Sequence, residues 1–234
     1  MDRAVIEREA ELQREIALET YLKYSQRLHR VAYPILKNGA SLFDEKVRPL
    51  IGFNYANKYS FPKDLRKASV SLFGLGERLQ IISVTPGTPA DDAGFQERDI
   101  LVAINKQQVP VGLNAAQVMR KTLDGYTQSD RPLTISILRD SVLKEIDVRP
   151  AIICDYQVIL GESNAINAYA DGKTITITRG MLKLVDDDTE LALVIGHELA
   201  NNVMKHINAK IKNYAVGSIF DILAAMYGVD TGGA

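Results

Sequence analysis

Between Arg3 and Leu36, apolar residues recur at steps of three and four (Leu12/Ile16, Leu18/Leu22, Leu28/Val31/Ile35), with Glu and Arg at the intervening positions. Side chains at those spacings share one helical face, so the pattern predicts a long amphipathic helix or a broken pair with a solvated charged face. His29 falls on that charged face and reads as structural or exposed. Across residues 37–67 the period dissolves into scattered Gly and Pro among Phe43, Phe53, Tyr55, Tyr59 and Phe61, a texture of short strands and loops. From Ala68 to Pro150 the chain becomes β-rich. Strands are predicted at "LQIISV" (Leu79 to Val84) and "DILVAINKQQV", a helix at "NAAQVMRKTL", and a hairpin turning near Asp140 in "PLTISILRDSVLKEIDV". Within "TPGTPADDAGF", Pro89 suits the first turn of a short helix and Gly94 its left-handed stop.

From Ala151 the pattern changes again. A strand is expected near Ala165 to Ala170, a turn at Asp171-Gly172, the alternating strand "KTITIT", a short helix over Met181 to Leu184, and a helix beginning near Asp188-Thr189. Asp186, Asp187, Asp188 and Glu190 cluster at that last start, where the helix dipole favours negative charge. Capping is the better reading of this run than metal binding.

Composition narrows the classes. The 234 residues are 46% apolar, with 28 Lys plus Arg against 29 Asp plus Glu. Such a chain buries a real core and lacks the positive field that phosphate backbones require, so nucleic acid is not an expected partner. Cys154 is the single cysteine and reads as a small buried hydrophobe rather than a nucleophile. The charged start "MDRAVIEREAELQREIA" shows no export signal. Tyr214 to Val229 is the longest apolar run. It carries Asp221 and is shorter than the roughly 20 residues of a spanning helix, which favours a core or partner-facing helix over a membrane-dipping one.

The candidate chemistry lies in "LALVIGHELANNVMKH", Leu191 to His206. Two imidazoles four residues apart are separated by only about 40° around a helix, which is why H-E-x-x-H holds zinc with a glutamate beside the metal. His197 and Glu198 fill the first two places, and Asn201 fills the last. An asparagine amide is neutral, hard and short-armed, a poor zinc ligand beside imidazole. His206 lies about 900° further round from His197 and so on the opposite face.

Two resemblances extend these readings. "PGTPADDAGFQERDILVAIN" resembles the bacterial type of PDZ domain found in envelope proteases, over about 80 residues; Gln96, Glu97 and Arg98 depart from its usual residues before the aspartate. Such domains bind extended peptides at a sheet edge and hold the terminal carboxylate on a glycine loop. "FGLGERLQI" offers Phe73, Gly74, Leu75 and Gly76 for that loop, or merely a turn. "NAYADGKTITITRGMLKLVDDDTELALVIGHELANNVMKH" resembles the zinc metallopeptidases of the HtpX and CAAX prenyl protease family, metallopeptidase family forty-eight. That resemblance implies zinc as cofactor, His197 as first ligand, Glu198 as general base, and "KTITIT" as an edge strand for substrate.

It also implies a third ligand, a glutamate on a later helix, yet only Asp221 and Asp230 follow Glu198 as acids. The chain stops at "DTGGA" where the family continues, so a truncated segment is expected. The fold class expected is α+β: an N-terminal helical and linker segment (1–67), a PDZ-like domain (68–150) and a zincin-like metallopeptidase segment (151–234). The function expected is a zinc metalloendopeptidase by family, inactive as written; the alternative is a pseudopeptidase or peptide-binding protein acting through its PDZ domain. Extended or misfolded polypeptides and peptide C-termini are the partners implied. The resemblance places the family in the bacterial periplasm or envelope, with membrane association in the full-length protein.

Overall fold

The computed structural model describes residues 3–40, 47–126 and 131–206. The run Tyr214–Val229, Asp221 and Asp230 lie outside the described residues. The chain forms two compact units. Of the described residues, one comprises those through Lys23 together with those of Pro49–Ala151; the other comprises those of Tyr24–Arg48 together with those from Ile152 to His206. Helix α1 (Arg3–Gly39) contributes to both, carrying Pro34 on an exposed position. Among the described residues no helix is long and apolar enough to cross a membrane.

The first unit is built on a six-stranded sheet. β1 (Val47–Leu50) is divided between the two units; the further elements of the first are β2 (Phe53–Ala56), α2 (Arg66–Phe73), β3 (Gln80–Val84), α3 (Pro89–Asp92), β4 (Ile100–Ile104), β5 (Gln107–Gln108), α4 (Ala115–Tyr126), β6 (Leu133–Arg139) and β7 (Val142–Val148). Strand order is β2-β3-β4-β6-β7, with β5 added to β4; every pairing is antiparallel, and β1 pairs separately with β8 (Ala151–Cys154). The alternation of β6 turns Leu133, Ile135 and Ile137 into a core with Leu79, Ile81 and Met119. The hairpin turns at Asp140 and Ser141, both at positive φ, the two-residue turn whose twist matches paired strands. Asp99 is fully buried and is held by Arg139 through two bonds of 2.7 Å and by the Gln96 N–H at 2.8 Å. A buried carboxylate persists only when paired and hydrogen-bonded in this way.

The helix α2 and the strands β8 and β9 (Gln157–Gly161) are findings beyond the sequence reading. In the second unit a three-stranded sheet has the order β10-β11-β9, where β10 is Ala168–Ala170 and β11 is Thr174–Thr178. β11 runs antiparallel to β10 and parallel to β9. Helices α5 (Arg179–Leu184) and α6 (Asp188–His206) follow, and α6 packs on β10 and β11. Ile175, Ile177, Leu191, Ile195 and Leu199 are completely buried, as is Leu28 of α1.

Asp187 caps α6 by accepting the Thr189 N–H, while Asp188 binds Arg27 at 2.8 Å and Arg30 at 2.7 Å. Arg27 also donates to the carbonyls of Val185 and Asp186, so the acidic run serves the helix start. These bonds hold both carboxyls below the usual carboxylate range. His29, on α1, is held below its ordinary value chiefly by burial, with a hydrogen bond to the Val158 backbone opposing. Burial pushes the Cys154 thiol up to about 12, which leaves it unsuited to nucleophilic work.

All three depressed groups act in one direction. The folded state binds fewer protons than the unfolded state, so stability is greatest above the unfolded values and falls as acid is added. We expect two windows in thermal unfolding followed by circular dichroism. The first opens below about pH 6.5, from His29, and the second below about pH 4, from Asp187 and Asp188. His29→Asn should remove the first and spare the second; a first window that survives this change would assign it elsewhere.

Candidate peptidase cleft and peptide-binding edge

α6 carries Leu193, Val194, His197 and Glu198 along one wall of an open cleft of about 500 Å³, completed by Ile166, Asn167, Ala168 and Met181. The i, i+4 pairs Leu193/His197 and Val194/Glu198 place two apolar side chains one turn before the two polar ones. His197 is exposed and Glu198 half-buried. Asn201 follows one turn after His197 and is half-buried, the position the spacing predicts for the second ligand. His206 ends α6.

The opposite wall is fixed by the segment "TRG". Thr178 caps α5 by accepting the Met181 N–H, and its hydroxyl also accepts the Asn167 N–H at 3.1 Å. That hydroxyl lies 2.7 Å from the carbonyls of both Ala165 and Asn167 and can donate to either. Arg179 donates to the Asn164 side chain at 2.9 Å, and the Gly180 N–H donates to the Ser163 carbonyl at 3.2 Å. A Cβ at Gly180 would overlap the carbonyls of Asn164 and Ala165, so glycine is required by this close approach. Behind the cleft, fully buried Asn202 accepts the Gly172 N–H at 2.8 Å and so ties the β10–β11 turn to α6. Its Nδ2 is a buried donor without a partner among the described residues.

The sheet order corrects one expectation. "KTITIT" is β11, the middle strand, and among the described residues the edges belong to β10 and β9, of which β10 borders the cleft. Its direction follows from the ladder. Asn167 bonds Thr178 and Asp171 bonds Thr174, and bonded pairs alternate in an antiparallel sheet. Tyr169 therefore faces β11, and Ala168 and Ala170 direct their N–H and C=O groups to the open side. Ala168 also lines the cleft, which puts this edge beside His197 and Glu198.

The other sheet carries a second correction. Phe73 ends α2, and Gly74 is its left-handed C-cap at φ 66°, with its N–H returned to the Val70 carbonyl. Leu75 is buried, and Gly76 accepts the Lys58 N–H. The strand that follows, β3, is paired on both sides, by β2 and β4, so Phe73–Gly76 does not precede an open edge. Among the described residues the sheet ends on β2 and β7, and the edge that follows a glycine is that of β2, preceded by Ile51 and Gly52. Gly52 sits at φ 104° against Thr88, and its carbonyl accepts the Thr85 N–H at 2.8 Å. Phe53, next in the ladder opposite Val84, consequently turns its N–H and C=O outward.

Tyr55 lies near Arg120 and Asp124 of α4, and burial pushes its hydroxyl up to about 12. The signal for this edge was an apolar-Gly-aromatic step in "LIGFNYA", lost inside a stretch read as linker.

Residues 136–232 match the model described as Peptidase family M48, and residues 80–123 match that of a PDZ domain. The Serine protease Do-like HtrB of Bacillus subtilis (strain 168) is 26% identical over 102 residues, covering 43% of this chain. The match spans only 21% of that relative's length. Among solved structures, the HtrA3 PDZ domain bound to a phage-derived ligand is 16% identical with a TM-score of 0.32, over 46% of this chain and 88% of that one. The HtrA-type protease AlgW with a decapeptide is 18% identical with a TM-score of 0.34, over 45% of this chain and 30% of that one.

Proposed function

With a PDZ domain followed by a segment of peptidase family M48 in one chain, we propose a peptide-handling protein of zinc metalloendopeptidase descent, in which hydrolysis is disabled and capture of extended polypeptide remains. One observation carries this reading. The helical position one turn beyond His197 presents an amide instead of an imidazole. A catalytic zinc needs three protein ligands and an open position for water. The donors here are one imidazole and a neutral amide, and among the described residues no three His, Cys, Asp or Glu side chains converge on a metal position. The described residues therefore do not fit zinc, and no hydrolytic step is assigned to Glu198.

Capture uses different atoms. Ala168 and Ala170 offer two donors and two acceptors along β10, the complement of an extended backbone. On the other sheet, the β2 edge with Ile51–Gly52 before it and α4 nearby supports binding of a peptide C-terminus by added strand and loop. These assignments replace Phe73–Gly76 as the proposed carboxylate loop. The setting proposed with this reading is the bacterial envelope.

The test is zinc content after dialysis against buffer free of chelator, with cleavage of an unfolded protein followed in parallel. Far less than one equivalent of zinc and no cleavage are expected. Stoichiometric zinc accompanied by cleavage would overturn the disabled reading.

A further inference from the structure

We infer that the cleft on α6 selects extended segments carrying a large aliphatic or aromatic side chain, received between Ile166 and Leu193; this rests on the reading of the cleft as a peptide site. Ile166 is 61% exposed and Leu193 50% exposed. Single exposed apolar residues are ordinary. These two, however, line one cleft with Met181 and Val194. The cleft is thus zoned, apolar at the Leu193–Val194 turn and polar at the His197–Glu198 turn.

Exposure at Ile166 does not come with looseness. The Thr178 hydroxyl lies within hydrogen-bond distance of the carbonyl of Ala165 before it and accepts the N–H of Asn167 after it. An apolar wall held this way is preorganised, so a side chain that covers it loses little to ordering the protein. The outward backbone groups of Ala168 adjoin the same cleft, so a strand added to β10 passes over it and delivers alternate side chains toward it. An acidic side chain at that point would meet Glu198, and a small polar one would leave the apolar walls wet. The occupant is therefore an extended peptide with an apolar residue at the position crossing the cleft.

The experiment uses the whole chain and short fluorescein-labelled peptides with amidated C-termini, identical except for a central Leu, Phe, Ser or Asp. Amidation leaves no terminal carboxylate for the loop before β2. In fluorescence anisotropy, the Leu and Phe peptides should bind about tenfold more tightly than the Ser and Asp peptides, the scale of burying one such side chain. Leu193→Ser and Ile166→Ser should each reduce that preference to about threefold or less without weakening the Ser peptide. Val142→Ser, at an exposed apolar residue of β7, should leave the preference intact. Equal binding of all four peptides, or an undiminished preference in both cleft variants, overturns the inference and leaves the peptide cleft standing. Failure of every amidated peptide to bind overturns both.

Discussion

Replacing Gly180 with alanine should lower stability by about 3 kcal/mol in urea unfolding, although only one methyl group is added. The new Cβ would point into the carbonyls of Asn164 and Ala165, backbone atoms that cannot rotate away. The Ser163–Asn167 segment must move, and with it go the Gly180 bond to Ser163, the Arg179 bond to Asn164, and the grip of Thr178 on either side of Ile166. Overpacking of this kind costs about 1–3 kcal/mol, and each hydrogen bond lost adds about 1 kcal/mol. The matched control is Gly125→Ala near the end of α4, where a Cβ meets nothing within 4 Å. There alanine removes backbone entropy and should be neutral or stabilising by up to about 1 kcal/mol. Similar effects at the two sites would mean that the Asn164–Gly180 contact yields without strain. The functional consequence expected of Gly180→Ala is a wider cleft with weaker binding of apolar peptides.

The contrast between the two glycines bears on what the sequence could reveal. Periodicity located β3, β4, α4, the β6–β7 hairpin, β11, α5 and α6, because each has a strong repeat bounded by turn residues. It passed over β8 and β9, whose short runs lack such punctuation, and over α2, whose apolar positions are few. Neither can register be read from a single strand. "KTITIT" has the regular alternation that suggests an exposed edge, but two of its three threonines, Thr176 and Thr178, are buried with Ile175 and Ile177. Among the described residues, the less regular "AYA" is the edge strand that borders the cleft.

The β2 edge of the first sheet was hidden for a related reason. A glycine loop before a strand is a local pattern, and Phe73–Gly76 satisfies it. Whether the strand behind it has a free side depends on which distant segment pairs with it, here residues 53–56. His197 and Glu198 were legible because a helix converts sequence spacing directly into geometry. Their opposite wall depends on Thr178 and Gly180, which act through contacts made by neither spacing nor period.

The same conversion makes Asn201 the most informative position to change. In Asn201→His, zinc affinity should rise at least about tenfold, because a second imidazole then stands about 40° round the helix from His197. Position 201 is half-buried on α6, so an imidazole can be accommodated without leaving the helix face. Competition against a chromophoric chelator gives the affinity of the variant and of the parent chain. Glu198→Gln should leave the gain unchanged, since that side chain is not counted as a ligand. Hydrolysis is not expected from this change alone, because the described residues lack the third protein ligand that a hydrolytic zinc uses. A parent chain that already binds zinc as tightly as the variant would show that another donor reaches the metal in place of Asn201, and the amide would then be no obstacle to a zinc site.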